Sequence, residues 1–267
     1  MLVGEKFIYF ELHKTGGSHT RRILRKLTTG KSTVHGHHNT YKDLPPKLME
    51  TFDTKIKVGN IRNPWDWYVS LWAFGCMNKG GLYNRVTKKH LRKTLEEKGE
   101  TPSQPSLKNA DLWIEVYSDA YSPELFRAWL KLMLKRTKVN IGEGYKKSPI
   151  FKQAGFFTYR YLKMYNYDNE NKIEGLKNFR KVKQFDAENN FIDVIIRTEY
   201  INEDLLDNAP KLGTTKKELQ EVMNKFSNKT NASSRQPYPF YYDEETKDLV
   251  ARKDKLIIEK YGYDYDN

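Results

Sequence analysis

Residues 7–27 constrain this chain more than any other stretch, because they combine a strand, a tight loop and the start of a helix. An apolar run, FIYF at 7–10, is followed by a loop that carries a lysine and two glycines. Apolar residues then recur at helical spacing, at Ile23, Leu24 and Leu27. The first amides of a helix have no partner within it, and the helix dipole places partial positive charge beside them. The stretch therefore predicts a site for a phosphate-like anion.

The order of residues in this loop argues against the usual ATP-binding loop. A Walker A motif places its lysine after the glycines, whereas Lys14 precedes Gly16 and Gly17. Lys14 is therefore expected to reach the anion from the strand side of the loop. The backbone N–H groups of Gly16, Gly17, Ser18 and His19 are expected to point at the same anion.

The run Lys14-Thr15-Gly16-Gly17-Ser18 resembles the 5′-phosphosulfate loop of sulfotransferases that use 3′-phosphoadenosine 5′-phosphosulfate (PAPS). In the glycan-type branch of that family the loop usually reads Pro-Lys-Thr-Gly-Gly-Thr-Ser. This chain has His13 where the proline stands, and Ser18-His19 in place of Thr-Ser. The resemblance implies that residues from Lys14 to Thr20 hold the 5′ end of the donor.

A second anion site is predicted where another apolar run, KIKVGNI at 55–61, meets a helix start. Pro64 suits the first turn of a helix, Arg62 stands just beyond the strand, and Ser70 lies about two turns into the helix. A guanidinium binds phosphate through charge-assisted, bidentate hydrogen bonds. Residues 62–70, RNPWDWYVS, resemble the 3′-phosphate motif of sulfotransferases, Arg-Asn-Pro-x-Asp-x-x-Val-Ser, at every fixed position. The resemblance implies that Arg62 and Ser70 hold the 3′-phosphate.

The resemblance continues near the C-terminal end but not through the middle of the chain. Residues 195–205, IIRTEYINEDL, are similar to the family's late strand and acidic helix. The segment NASSR at 231–235, with Tyr241, Tyr242 and the YGY at 261–263, is similar to the closing segment of bacterial glycan-type members. Arg235 is expected to add a contact to the nucleotide. Residues from 77 to about 185 match no family segment, and in such enzymes this region usually sets acceptor specificity.

Sulfuryl transfer to a hydroxyl needs a base that is neutral near pH 7, which favours histidine. His35, His37 and His38 lie between the two anion sites. His37 is the first choice, because the family resemblance places a histidine before the Leu-Pro segment that follows. His35 and His38 are close rivals, since neighbours along a strand or turn point in different directions. Glu11, near the end of the first strand, is a weaker candidate.

The histidines and the aromatic residues of the chain each have a second interpretation. The histidines at 35, 37 and 38, with His13 or His19, are a potential zinc set, but the chain has no cysteine partner for them. The family resemblance implies no metal for transfer from PAPS. The aromatic residues Trp65, Trp67, Trp72 and Phe74 suggest a stacking surface for nucleic acid, but their helical spacing favours a core, and no nucleic-acid partner is expected.

Composition limits the class of protein. Hydrophobic residues make up 38% of the 267 residues, and no apolar run approaches the roughly 18–20 residues that span a bilayer. No segment has the pattern of a signal peptide, and the single cysteine, Cys76, cannot form an internal disulfide. A cytoplasmic protein without a membrane partner is therefore expected. The net charge of +13, from 47 basic and 34 acidic residues, favours an anionic partner.

The predicted fold class is α/β, a central parallel sheet flanked by helices in a sulfotransferase fold related to P-loop kinases. One domain is predicted over 1–267, with an irregular, acceptor-specific insertion at about 77–185. The short strand Thr33-Val34 and a strand at 191–197 complete the predicted sheet, whereas 77–110 is predicted to be irregular and 156–167 either helix or acceptor-side loop. The other predicted helices lie at 45–52, 111–136, 202–212, 215–227 and 243–261.

Together these observations predict an enzyme, a PAPS-dependent sulfotransferase that acts on a hydroxylated small molecule or glycan, with a carbohydrate as the expected acceptor. In that hypothesis Lys14 stabilises the bridging oxygen as it leaves, and His37 is the base. Two alternatives stay open. One is a kinase-like nucleotide phosphotransferase that needs magnesium and ATP. The other is a non-catalytic polyanion-binding protein, whose binding would depend steeply on salt without preference for the 3′-phosphate.

Overall fold

A five-stranded sheet carries both of the strand-to-helix turns that the sequence predicts. The computed structural model describes residues 1–28, 32–36, 38–99, 107, 109–135, 141–168, 170–226 and 234–266. The strands are β1 (Leu2–Val3), β2 (Phe7–Phe10), β3 (Thr33–Val34), β4 (Ile56–Ile61) and β5 (Val194–Arg197). Their order in the sheet is β3-β1-β2-β4-β5. The three strands β2, β4 and β5 are parallel, whereas β1 runs antiparallel to both of its neighbours.

Thirteen α-helices are present in the part of the chain that the structure describes. The first seven are α1 (Gly17–Leu27), α2 (Pro46–Met49), α3 (Pro64–Cys76), α4 (Gly81–Val86), α5 (Lys89–Glu97), α6 (Ala110–Val116) and α7 (Pro123–Leu134). The others are α8 (Phe156–Tyr165), α9 (Phe179–Asn189), α10 (Ile201–Asp207), α11 (Lys216–Asn224), α12 (Glu244–Lys253) and α13 (Lys255–Tyr261).

The predicted mixed α/β class is confirmed, with a parallel centre and an antiparallel edge. The strand at 7–10, the short strand at Thr33-Val34 and the strand at 55–61 appear where the sequence places them. Strand β1, which has only two residues, was not predicted. Strand β2 is buried along its whole length, as expected for a central strand of a parallel sheet.

The chain groups into two compact units, residues 1–63 with 159–232 and residues 64–158 with 233–267. The first unit contains the sheet. Its core joins side chains of the sheet to apolar faces of α1, α10 and α11, and Ile23 and Leu24 of α1 are buried there as the helical spacing predicts. The hydroxyl of Tyr165 bonds the backbone of Asn60 in β4, at 2.8 Å to N and 2.7 Å to O.

The second unit has a core rich in aromatic rings. Trp67, Trp72 and Trp129 are fully buried, and their neighbours in this core include Trp113, Tyr117, Phe126 and Tyr241. The indole N–H of Trp72 donates to Val116 O at 2.7 Å, and that of Trp129 donates to the Tyr117 hydroxyl at 2.7 Å. The tryptophans of α3 therefore belong to the core, as their helical spacing indicates, and Trp65 is 4% exposed.

The predicted segments at 77–110 and 111–136 differ from the structure, each for a local reason. Residues 77–110, predicted to be irregular, contain α4 and α5. Helix α5 is short and charged, and its apolar residues, Leu91 and Leu95, give only a weak helical signal. The predicted helix at 111–136 is two helices, since Ser122 accepts from the Leu125 amide and Pro123 occupies the first turn of α7. The stretch at 156–167 is helical, as α8. Helix α9 was not predicted.

A buried carboxyl group interrupts the predicted helix at 243–261. Asp254 lies between α12 and α13 and is 0% exposed. Its carboxylate accepts from the Tyr68 hydroxyl at 2.8 Å, the Thr158 amide at 2.9 Å and the Thr158 hydroxyl at 2.7 Å. Burial nevertheless raises the pKa of Asp254 to about 6, because desolvation outweighs these bonds.

Asp254 makes the stability of the protein depend on pH in a specific direction. The folded state keeps the Asp254 carboxyl group protonated to a higher pH than the unfolded chain does. Asp254 therefore lowers the free energy of unfolding as pH rises from about 4 to about 6. In Asp254→Asn, Oδ1 can accept both Thr158 bonds and Nδ2 can donate to Tyr68. We expect the variant's stability relative to wild type to rise by about 2 kcal/mol between pH 4 and pH 7. Urea unfolding at both pH values measures this difference.

Asp248→Asn is the matched control, because Asp248 lies on an exposed face of α12. Its stability relative to wild type should change little between the same two pH values. If the stability of Asp254→Asn relative to wild type were also the same at pH 4 and pH 7, the prediction would be wrong.

Candidate functional site

The loop between β2 and α1 depends on two glycines, each for a geometric reason. Gly16 has φ of 76°, a left-handed conformation that side chains rarely adopt, and it caps the N-terminus of α1. At Gly17 a Cβ atom would lie 2.4 Å from Glu11 Cγ, which is closer than two carbon atoms can approach. The two glycines therefore allow the chain to turn from the strand into the helix against the Glu11 side chain.

The start of α1 presents backbone donors toward this loop. The amides of Gly16, Gly17 and Ser18 have no acceptor among the described residues. The His19 amide differs from the prediction, because it donates to Gly16 O at 3.0 Å within the first turn, as the Thr20 amide does at 3.2 Å. The loop thus offers three neighbouring N–H groups at a helix N-terminus, an arrangement suited to an anion.

The threonines of the loop shape it from inside. Thr15 is fully buried, and its hydroxyl donates to Leu12 O at 2.8 Å. Thr20 is also fully buried, and its hydroxyl accepts from Asn60 Nδ2 at 3.0 Å. The Thr15 side chain therefore braces the loop from within, and the Thr20 side chain ties α1 to β4.

The structure brings the two predicted anion-binding motifs together at Lys14 and Arg62. The parallel pairing of β2 with β4 sets Phe10 opposite Gly59, so the loops that follow both strands leave the sheet at the same edge. The Arg62 guanidinium then donates through Nη1 to Lys14 O at 3.0 Å. Lys14 itself has φ of 62°, an uncommon conformation for a lysine that this contact helps to fix. Both side chains are half-buried.

Residues that follow β5 complete this edge, and sequence reasoning did not assign them a role. The Thr198 hydroxyl donates to Ile61 O at 2.8 Å, and the Glu199 carboxylate accepts from the Asn63 amide at 2.7 Å. The two contacts fix the backbone on both sides of Arg62. The signal that could have revealed them is topological, because parallel pairing places the end of β5 beside the end of β4.

Ser70 and Arg235, the other predicted donor-binding residues, belong to the second unit. Ser70 lies in α3 and is 4% exposed. Arg235 forms an ion pair with Asp66 in which both side chains are largely buried. Asp66 is one of the fixed positions of the motif that the chain resembles, so this pair ties the closing segment to the motif. The proposed nucleotide contacts of Ser70 and Arg235 stay predictions.

The candidate bases differ in where the structure places them. His37, the first choice, lies outside the described residues. His35 follows β3 at the edge of the sheet, where its Nε2 lies 3.2 Å from the Thr33 hydroxyl. His38 instead reaches the end of β2, where its Nδ1 lies 2.7 Å from Glu11 O. Of the described candidates between the two motifs, His38 is the one placed against the anion-binding loop.

The ring of His38 also stacks on that of His13, the residue that replaces the proline of the family loop. The ring centroids are 3.4 Å apart and the planes differ by 17°. Both residues belong to the first unit and both are half-buried. Nothing in the sequence indicates this contact, because the two residues are separated by the whole of α1 and β3.

Glu11 and His19 are titratable residues beside the loop, and their surroundings limit what each can do there. The Glu11 carboxylate is buried, lies against Gly17 and accepts from Arg21 at 2.9 Å, so this alternative base is engaged in an ion pair. Burial, assisted by Arg22, lowers the pKa of His19. His19 is therefore mainly neutral near pH 7 and contributes a dipole to the loop.

Over the residues that the structure describes, no three His, Cys, Asp or Glu side chains converge in a way that would hold a metal ion. Over the same residues, no helix combines the length and the apolar character needed to cross a membrane. A scan against models of protein families, a search of curated proteins and a search of solved structures each found no match to this chain.

The fit between Glu11 and Gly17 gives a test of the loop geometry. We expect Gly17→Ala to lower the free energy of unfolding by about 1–3 kcal/mol, because the new methyl group overlaps a buried, ion-paired side chain. Thermal or urea unfolding measures the change. Gly81→Ala, at the first residue of α4, is the matched control, since a Cβ there meets nothing within 4 Å. A Gly17→Ala variant as stable as the Gly81→Ala control would show that the Glu11 side chain is not fixed against the loop.

Proposed function

We propose that this chain is a PAPS-dependent sulfotransferase with the P-loop-kinase-like sulfotransferase fold, and that it sulfates a hydroxyl group of a carbohydrate. The observation that supports this most directly is the 3.0 Å bond from Arg62 to Lys14 O. It joins the two motifs that resemble the 5′-phosphosulfate and 3′-phosphate sites of that family. An adenine nucleotide phosphorylated at both its 5′ and 3′ positions needs two such cationic sites at once.

The residues of the loop suit the 5′ end of this donor. The amides of Gly16, Gly17 and Ser18 would bind the 5′-phosphate oxygens, and the dipole of α1 adds to their attraction. The Lys14 ammonium would stabilise the negative charge that grows on the bridging oxygen as the sulfuryl group leaves. Cβ atoms at Gly16 and Gly17 would meet the side chains of Ile201 and Glu11, so this turn of the loop backbone requires glycine at both positions.

The 3′-phosphate would be bound by Arg62, with Ser70 and Arg235 as further proposed contacts. A guanidinium carries five N–H donors in a planar fork whose geometry matches phosphate oxygens, and the bond to Lys14 O places the Arg62 guanidinium at the loop. This site distinguishes PAPS from ATP, which lacks a 3′-phosphate. It is therefore the part of the proposal that separates a sulfotransferase from a kinase-like phosphotransferase.

The acceptor hydroxyl must lose a proton during transfer. Its oxygen forms a bond to sulfur while the bond from sulfur to the 5′-phosphate oxygen breaks, and the hydroxyl proton passes to a base. The geometry favours His38 for this role, because its ring lies against the loop that would hold the sulfuryl group. His37 remains a rival among the residues outside the described part of the chain.

A non-catalytic polyanion-binding protein is the second candidate, and the net charge of +13 favours it. A polyanion binder would bind heparin or nucleic acid with a steep dependence on salt and would not discriminate a 3′-phosphate. Thermal shift with 3′-phosphoadenosine 5′-phosphate, ADP, and ATP with magnesium separates all three functions, because a bound ligand stabilises the native state. Stabilisation by 3′-phosphoadenosine 5′-phosphate well above that by the other two nucleotides supports the sulfotransferase.

Arg62→Ala tests the 3′-phosphate site. We expect the affinity for 3′-phosphoadenosine 5′-phosphate to fall about tenfold to a hundredfold, since a charge-assisted hydrogen bond contributes about 1.5–3 kcal/mol. Calorimetric titration measures the affinity, and ADP provides a reference ligand without the 3′-phosphate. Arg180→Ala is the matched control, because it removes the same charge from an exposed position in the first unit. Unchanged affinity in a folded Arg62→Ala variant would show that Arg62 does not bind the 3′-phosphate.

Lys14→Asn tests the role of the loop lysine without adding backbone strain, because asparagine tolerates the left-handed conformation of this position. We expect kcat for sulfuryl transfer to fall about 10²–10³-fold, as for the loss of one group that stabilises developing charge. The melting temperature should stay near that of wild type. A Lys14→Asn enzyme with wild-type kcat would refute the assignment.

A further inference from the structure

The imidazole rings of His13 and His38, here called the histidine pair, are stacked closely enough for the charge on one ring to affect the other. His13 immediately precedes Lys14, and His38 comes from beyond β3, yet their ring centroids are only 3.4 Å apart. The planes are nearly parallel, at 17°. The family loop that this chain resembles has proline in place of His13, so the resemblance assigns no role to this side chain.

The hydrogen bond from His38 to the backbone oxygen of Glu11 determines which ring nitrogen of His38 carries the hydrogen. Glu11 O is a carbonyl oxygen and can only accept, so His38 Nδ1, at 2.7 Å, must carry the hydrogen. When His38 is neutral, the lone pair of the ring is therefore on Nε2. A backbone carbonyl that fixes the tautomer in this way is a common means of orienting a histidine base.

The stack then limits how many protons the pair can hold. Two imidazolium rings at 3.4 Å repel each other strongly, whereas a neutral ring stacked on a charged one is attractive. The charged groups close to the pair include Lys14, which follows His13, and the Glu11 carboxylate, which is paired with Arg21 at 2.9 Å. Arg21 offsets the charge of the Glu11 carboxylate, so this ion pair adds little net negative charge beside the stack.

We propose that the histidine pair works as a one-proton unit, in which His38 Nε2 accepts the proton of the acceptor hydroxyl and His13 is a positioning residue. His13 holds the His38 ring and opposes its protonation before the substrate arrives. During transfer the hydroxyl proton moves to Nε2, while the hydrogen on Nδ1 stays bonded to Glu11 O. The assignment to catalysis rests on the proposed sulfotransferase function, but the tautomer and the coupled titration do not.

Nuclear magnetic resonance of the full chain with ¹⁵N-labelled histidine tests the pair without any substrate. We expect long-range ¹H–¹⁵N correlations to show His38 as the Nδ1–H tautomer when neutral. Both rings should titrate in two shared steps, as interacting sites do. In His13→Phe, His38 should titrate in one step. An Nε2–H tautomer, or independent single steps for the two rings, would overturn the proposal.

Kinetics on the same variants test the catalytic part. We expect His38→Ala to lower kcat about 10²–10⁴-fold, as for the loss of a general base. His13→Ala should lower kcat about tenfold at neutral pH, leave KM for the donor unchanged and move the acid limb of the pH profile to higher pH. His13→Phe, which retains a stacking ring, should recover kcat at high pH but keep the shifted acid limb.

The outcomes separate failure of this proposal from failure of the proposed function. A wild-type pH profile and kcat in His13→Ala would show that His13 positions nothing. If 3′-phosphoadenosine 5′-phosphate binds and sulfuryl transfer occurs but His38→Ala keeps full kcat, the function stands and the pair is not the base. If that nucleotide does not bind, the sulfotransferase function fails, whatever the magnetic resonance shows. His90→Ala is the control for loss of an exposed histidine.

Discussion

The parallel pairing of β2 with β4 places Arg62 beside the loop that carries Lys14. Once Phe10 stands opposite Gly59, the loop after β2 and the segment after β4 must leave the sheet side by side. The Arg62 guanidinium then reaches Lys14 O, and the residues after β5 secure the backbone around Arg62. A sheet held by backbone bonds and an apolar core thus brings the Arg62 side chain to the backbone of Lys14, 48 positions earlier in the chain.

Sequence reasoning located the parts of this arrangement that depend on short stretches of chain. The apolar run at 7–10, the helical spacing of Ile23 and Leu24, and Pro64 at a helix start each act locally, and the structure agrees with all of them. The stacking of His13 on His38 joins residues that are distant in sequence, and no local pattern encodes it. Helix α5 was missed although Leu91 and Leu95 repeat at helical spacing, because two apolar residues in a short, charged stretch are a weak signal.

Much of the positive charge near the motifs serves the fold. Arg21 pairs with Glu11, Arg197 pairs with Asp204, and Arg235 pairs with Asp66. Each of these acids is largely shielded from water, where an unpaired charge is costly and a paired one orients its neighbours. Each pair contributes no net charge, so the excess of +13 is carried by other basic residues and these three arginines do not account for it.

The contact between Glu11 and Gly17 has a consequence for how such a chain can diverge. Because a methyl group at position 17 would overlap the side chain at position 11, the two positions cannot vary independently. Arg21 joins them, since it would lose its carboxylate partner if position 11 became small. Descendants of this sequence should therefore preserve or exchange these three residues as a set, which would appear as correlated substitution among relatives.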